Sequence, residues 1–195
     1  VSPSGRLVHT LAKNETDYEH FAISEASDIE FSEGNYIDYK YLDQQNKTVE
    51  YEFGFGLSYT TFTYGSNLSI TPNTALLSHA YAIGARSVGG REDLWDTVAT
   101  LSTSLTNTGA RSGAEVAQLY VKFPATANEP VRQLRGFKKV MVQPGETGKV
   151  SFELRRRDLS VWDVMKQEWK VERGEYKMHV GASSRDLRVV GTMTV

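Results

Sequence analysis

The chain is predicted to be mainly β, an antiparallel β-sandwich preceded by a segment that makes no domain of its own. Three observations predict this. Apolar residues recur with period two from Thr61 onward. Turn residues break that alternation at short intervals. No stretch after Tyr59 holds a sustained helical period.

The elements follow in chain order. Ala99, Leu101, Thr103 and Leu105 share one face of a strand, and Asn107-Thr108-Gly109 turns the chain. Ala117, Leu119, Val121 and Phe123 share a face of the next, and Pro124 to Pro130 reads as a loop. Leu134 to Val142 is strand-like and ends at the turn Pro144-Gly145. Val150, Phe152 and Leu154 alternate. The run Glu168 to Glu172 is expected to pair across Arg173-Gly174 with Tyr176, Met178 and Val180. Leu187 to Val195 closes the series. About seven short strands with frequent turns are the pattern of an immunoglobulin or fibronectin type III sandwich. Pro72 to Asp96, with Gly84, Gly89 and Gly90 and little periodicity, is expected to be a long surface loop.

Residues 1–58 differ in kind. They hold few aliphatic residues and no clear amphipathic helix, but are rich in Tyr and acidic side chains. So short a segment would be marginal alone. The aromatic run Tyr36-Ile37-Asp38-Tyr39-Lys40-Tyr41 argues against disorder. The segment is therefore expected to pack on a surface absent from the chain. Tyr51-Glu52-Phe53-Gly54-Phe55-Gly56-Leu57-Ser58-Tyr59-Thr60 ends it, as a tight backbone passage entering a strand. Phe53, Phe55 and Tyr59 are expected to pin that junction by packing.

Charge narrows the function classes. Lys and Arg total 22 against 24 Asp and Glu, so neither nucleic acid nor a membrane is an expected partner. Arg155-Arg156-Arg157 is the only basic run, and Asp158 follows it, so an ordinary solvated or ion-paired strand end is expected. There is no cysteine, hence no disulfide and no thiolate site. No apolar run approaches membrane-spanning length. The chain opens Val1-Ser2-Pro3-Ser4-Gly5 without an initiator Met or signal peptide, as a processed, cleaved or truncated product would.

The search for chemistry yields little. His9, His20, His79 and His179 never fall at helical ligand spacing, so no metal or other cofactor is expected. Phe53-Gly54-Phe55-Gly56 has Tyr59 where a dinucleotide fingerprint needs its third glycine. Ser4 and Ser58 lie outside any nucleophile elbow. Asp28, Glu30, Glu33 and Asp38 cluster near tyrosines, a pattern that sugar hydrolysis uses, but they read first as loop carboxylates, solvated or capping backbone amides. Asn14-Glu15-Thr16, Asn46-Lys47-Thr48 and Asn67-Leu68-Ser69 are N-glycosylation sequons, which favours a secreted eukaryotic glycoprotein.

Motifs along the whole chain resemble the C-terminal part of a fungal β-glucosidase of glycoside hydrolase family 3. Pro3-Ser4-Gly5-Arg6-Leu7 is similar to the family's N-P-S-G-R-L, Glu33 to Lys40 to its E-G-x-x-I-D-Y-[RK], and Tyr51 to Tyr59 to its Y-E-F-G-[FY]-G-L-S-Y. Gly113 to Tyr120, Gln133 to Phe137, Arg156 to Ser160 with Trp162-Asp163, and Val180 to Asp186 are similar to its sandwich segments. Val8-His9 departs from the family pattern, and the loop around Gly84–Asp96 is less typical.

The resemblance implies a secreted retaining enzyme that removes terminal non-reducing β-D-glucosyl residues. It implies a (β/α)₈-like barrel carrying an Asp nucleophile and an α/β sandwich carrying a Glu acid/base. Residues 1–58 would be the C-terminal end of the α/β sandwich domain and its connection, and residues 59–195 the fibronectin type III-like domain. The partners implied are the N-terminal catalytic part of the same enzyme, a β-glucoside substrate held by that part, and N-linked glycans at Asn14, Asn46 and Asn67. No catalytic residue carries over: the nucleophile's motif precedes the chain, the acid/base belongs to a different acidic motif upstream of the E-G-x-x-I-D-Y segment, and Glu33 inherits no role. The chain alone is expected to be inactive. Two alternatives stay open: a non-catalytic carbohydrate- or cell-wall-binding sandwich, with Trp95, Trp162 and Trp169 as candidates, and a β-xylosidase of the same family. Trp162 and Trp169 also read as packing residues.

Overall fold

The computed structural model describes residues 1–18 and 30–195; His20 and Asp28 lie outside the described residues. In chain order come β1 (Leu11–Ala12), helix α1 (Tyr39–Gln44) and β2 (Val49–Tyr51). Next are β3 (Phe62–Tyr64), β4 (Ser69–Pro72), helix α2 (Thr74–Leu77), and the short pair β5 (Arg86–Ser87) and β6 (Gly90–Arg91). The long strands follow: β7 (Thr97–Asn107), β8 (Gly113–Lys122), β9 (Gln133–Val142) and β10 (Thr147–Arg155). The last are β11 (Ser160–Asp163), β12 (Glu168–Val171), β13 (Glu175–Gly181) and β14 (Leu187–Thr194).

Two antiparallel sheets face each other. One runs β10-β7-β3, and β4 continues the β3 edge along β7. The other runs β14-β13-β8-β9. The core between them is the set that the alternation predicts. Leu101 and Leu105 of β7, Ala117, Leu119 and Val121 of β8, and Val150, Phe152 and Leu154 of β10 are buried together, with Tyr176, Met178 and Val180 of β13. Leu119, Leu154 and Val180 have no exposed surface. Burying a side chain of that size fully contributes about 1.5–3 kcal/mol. The Tyr176 hydroxyl donates to the Glu172 carbonyl at 3.0 Å, four residues upstream, like the corner tyrosine of such sandwiches.

Three expectations are corrected. The strand Glu168–Val171 pairs with Ser160–Asp163, with Trp162 opposite Trp169, and not with β13. β13 instead sits between β14 and β8. Turn chemistry at Arg173-Gly174 suggested a local hairpin, but the apolar face of β13 finds better cover inside the large sheet. Secondly, the segment from Pro72 to Asp96 is not a plain loop. It holds α2, β5, β6 and a 3-10 turn at Glu92–Trp95.

The third correction concerns the basic run. Arg156 is 2% exposed. Its guanidinium donates to the His79 carbonyl at 2.9 Å and to the Leu76 carbonyl, with Asp93 at 4.0 Å. Burial lowers its pKa from the ordinary value. A cation that satisfies two backbone carbonyls organises the segment, which therefore needs little periodicity of its own. Neighbouring Arg157 lies over the Trp169 ring, 3.2 Å from its centroid.

Asn107, wholly buried, closes one end of the sandwich. Its Oδ1 accepts from Thr60 Oγ1 at 2.7 Å and from the Gly109 amide at 3.0 Å. Its Nδ2 donates to the carbonyls of Arg111 at 2.7 Å and Val142 at 2.9 Å. All four of its hydrogen-bonding positions are thus used. Asn107→Ala strands those partners in a dry site and is expected to cost about 2–4 kcal/mol, read as a lower urea midpoint at unchanged slope.

Candidate functional site at the arm and sandwich seam

Residues 1–12 and 49–58 run antiparallel beside each other. Leu11 pairs with Tyr51. The Leu7 amide donates to Phe55 O at 2.8 Å and the Gly54 amide to Leu7 O at 2.9 Å. Together with α1 these strips form an arm laid over the outer face of β8. Strand β8 is consequently buried on both faces, apart from half-buried Val116 and exposed Lys122. Tyr39 stacks on Phe53 with centroids 4.6 Å apart and meets Tyr120 edge-on at 6.1 Å. Burial raises the Tyr120 phenol well above its ordinary pKa, and Tyr39 is shifted the same way.

The two glycines of the passage are required where they stand. Gly54 has φ +82, and a Cβ there would lie 2.1 Å from Gln118 Oε1. A Cβ on Gly56 would meet the Gly5 carbonyl at 2.4 Å. Gln118 Nε2 donates to Gly54 O at 3.0 Å and to Ala182 O at 2.6 Å. The Ser184 amide donates to Phe53 O at 2.9 Å. Phe53 packs as expected, but Tyr59 is 67% exposed and pins nothing.

Two buried carboxylates secure the seam. Glu115, 3% exposed, accepts from Arg6 Nη2 at 2.6 Å and from the Tyr64 hydroxyl at 2.9 Å. Arg6 also donates to Gly56 O at 2.9 Å. Burial, and then the Glu115 charge, push the Tyr64 phenol far above its ordinary pKa. Asp43, on α1, accepts from Arg132 Nη2 at 2.9 Å and from Arg185 Nε at 2.9 Å. Arg185 reaches further, to Lys47 O at 2.9 Å. Neither carboxylate was singled out from the sequence. The available signal was Glu115 inside the apolar run from Gly113 to Tyr120; Asp43 carried none.

Of the carboxylates that the sequence singles out, Asp38 makes structural contacts within the arm. Asp38 accepts from the Thr10 amide at 2.8 Å and from its hydroxyl at 3.0 Å, fastening the arm to itself. Glu33 and Asp38 line one cleft of about 290 Å³ with Tyr18, Tyr36 and Tyr41, while Glu30 is exposed. Among the described residues, no group of His, Cys, Asp and Glu could hold a metal. Among them too, no helix is long and apolar enough to cross a membrane. His9 and His79 are exposed and far apart in function: only the His79 backbone is used, by Arg156. Asn14, Asn46 and Asn67 are all exposed. The arm's apolar side chains divide. Tyr39 is buried against Tyr120 of this sandwich, which corrects the expectation that the segment packs on a surface absent from the chain, and Leu42 is buried as well. Val8, Phe31, Ile37, Leu57 and Tyr59 face outward.

Comparison with known proteins accords with this architecture. A fibronectin type III-like domain profile matches residues 115–184. A probable β-glucosidase D of Aspergillus niger is 53% identical over 195 residues, all of this chain and 25% of that protein. One from Emericella nidulans is 54% identical over the whole chain and 24% of its own length. The crystal structure of a β-D-glucoside glucohydrolase from Trichoderma reesei superposes with a TM-score of 0.94 at 47% identity, over 100% of this chain and 27% of that one. The chain is homologous to the C-terminal region of fungal β-glucosidases of glycoside hydrolase family 3. It spans about a quarter of the length of the curated relatives it matches.

The seam makes two tests. Arg6→Ala leaves Glu115 buried without its cation and is expected to cost about 3 kcal/mol in chemical denaturation. Arg86→Ala, which breaks an exposed pair with Glu168, should cost no more than about 1 kcal/mol. The second test concerns His179, half-buried on β13. Burial, then Arg132, Lys122 and Lys177, lower its pKa below the ordinary 6.5. The unfolded chain then takes up the proton first as pH falls. The stability from keeping this imidazole neutral is complete above about pH 6.5 and is lost below it. His179→Gln is expected to flatten the fall in melting temperature between about pH 7 and 5.

Proposed function

We propose that this chain is the C-terminal, non-catalytic part of a secreted retaining β-glucosidase that releases terminal non-reducing β-D-glucosyl residues from cellobiose and cello-oligosaccharides. The observation that carries the reading is the end-to-end match, at about half identity, to one quarter of proteins named as β-glucosidases. On this reading the nucleophile and the acid/base lie in the remaining three quarters. A retaining pair needs carboxyl groups about 5–5.5 Å apart in a site that holds the sugar. Glu115, Asp43 and Asp38 each accept from donors within this chain, which supports a structural role for them.

The chain's own task is support. Residues 1–58 complete the α/β sandwich domain and residues 59–195 form the fibronectin type III-like domain that braces it. The outward side chains Val8, Phe31, Ile37, Leu57 and Tyr59 suit a surface that meets the catalytic part, since large apolar groups left exposed often mark interaction sites. Exposed Asn14, Asn46 and Asn67 are open to glycan transfer on a secreted protein. The relatives named above are β-glucosidases, which favours this reading over a β-xylosidase of the same family.

Purified residues 1–195 are expected to turn over no aryl β-glucoside, while the longer enzyme does. Turnover by the isolated chain, or none by the longer enzyme, would overturn the reading.

A further inference from the structure

The β5–β6 and β11–β12 hairpins stand side by side and enclose a cleft of about 430 Å³. Polar contacts join them. Arg86 Nη2 and Arg91 Nη2, on the first hairpin, both donate to Glu168 Oε1 on the second, at 3.2 and 3.0 Å. Tyr81 donates to Asp163 Oδ2 at 2.6 Å, and the Lys166 ammonium lies 4.1 Å from the Tyr81 ring centroid. Trp162 and Trp169 line the cleft as a cross-strand pair, ring centroids 5.1 Å apart and inclined at 65° in an edge-to-face contact.

The two indoles are not equivalent. Trp169 is half-buried, and the Arg157 guanidinium stacks on its ring. Trp162 is 43% exposed, although it faces a concavity rather than a convex surface. An apolar ring left open beside a charged fork is a poor contribution to stability. It is a good platform for a ligand that is flat and apolar on one face and hydroxylated at its edge. The fork supplies the edge. Arg86 holds further N–H donors beyond the one given to Glu168; Arg91 also gives Nη1 to the Gly84 carbonyl at 2.9 Å and keeps its second Nη2 hydrogen, and Glu168 keeps Oε2 as an acceptor. The volume lies within the range of small-ligand sites, and so does the mix of aromatic walls with a few polar groups.

We propose that this cleft is a non-catalytic binding site for a gluco-oligosaccharide, with Trp162 stacking on a pyranose face and Arg86, Arg91 and Glu168 bonding its hydroxyls. A peptide would be served less well, since the polar groups gather at one rim and do not repeat along a strand. Trp95, outside this set of lining residues, takes no part.

The test uses the longer enzyme in native gels cast with hydroxyethylcellulose, a soluble β-1,4-glucan. The wild type is expected to be retarded. Trp162→Ala and Arg86→Ala are each expected to weaken that retardation, the first by about tenfold in apparent dissociation constant. Arg86 is largely exposed, so its replacement leaves folding intact should Trp162→Ala melt early. A wild type that migrates unhindered, or an Arg86→Ala enzyme retarded as strongly as a wild type that binds, overturns the site. Aryl β-glucoside turnover in the same samples reports on the catalytic reading separately. Its loss in the wild type would overturn that reading and leave the gel result standing.

Discussion

Gln118 joins three parts of the chain through one buried amide. It donates to Gly54 O in the arm and to Ala182 O after β13, and accepts from the Tyr120 hydroxyl at 2.6 Å. A glutamine on the outer face of a sheet would ordinarily be solvated. Here the arm covers it, so every polar group it holds must be matched within the protein. That requirement forces the backbone at Gly54 into close approach, which only a glycine with positive φ allows. The arm, its glycines and the two-sided burial of β8 therefore depend on one another.

The buried charges extend the same logic. Glu115 and Asp43 sit on opposite sides of the seam, one on β8 and one on α1. Each draws its cations from a distant stretch of sequence: Arg6 for Glu115, and Arg132 with Arg185 for Asp43. Pairs of this kind add little net stability, because desolvation offsets much of the attraction. Their effect is to define register. A slip of the arm along β8 would strand a charge, so the arm has one position. On the proposed function, that rigidity keeps the surface offered to the catalytic part fixed.

The other end of the sandwich shows a looser arrangement. Arg156 gathers α2 and the turn around Asp93 through backbone carbonyls and a distant ion pair. The hairpins beyond it meet through side chains on a shared carboxylate. A region held in this way keeps a cleft open where a packed region would have closed it.

The sandwich was legible in the sequence because its cause is local and periodic. Alternation along β7, β8, β10 and β13 names the buried face of each strand, and the glycines of the Tyr51–Tyr59 passage announce a close approach. The motifs along the chain resemble the C-terminal part of fungal β-glucosidases, and the whole-length match to a quarter of such proteins agrees with that resemblance. Sequence alone could not choose the partner of Glu168–Val171, since a turn at Arg173-Gly174 and one after Asp163 are both reasonable and only sheet packing decides between them. Nor could it separate Tyr39, buried on Tyr120, from Tyr59, which is exposed, because identical side chains differ only in what lies opposite. The sequence by itself determined which faces must be covered and where the backbone must pass closely. Tertiary structure decided what covers them, because burial, ion pairing and the matching of buried amides are properties of residues distant in the chain.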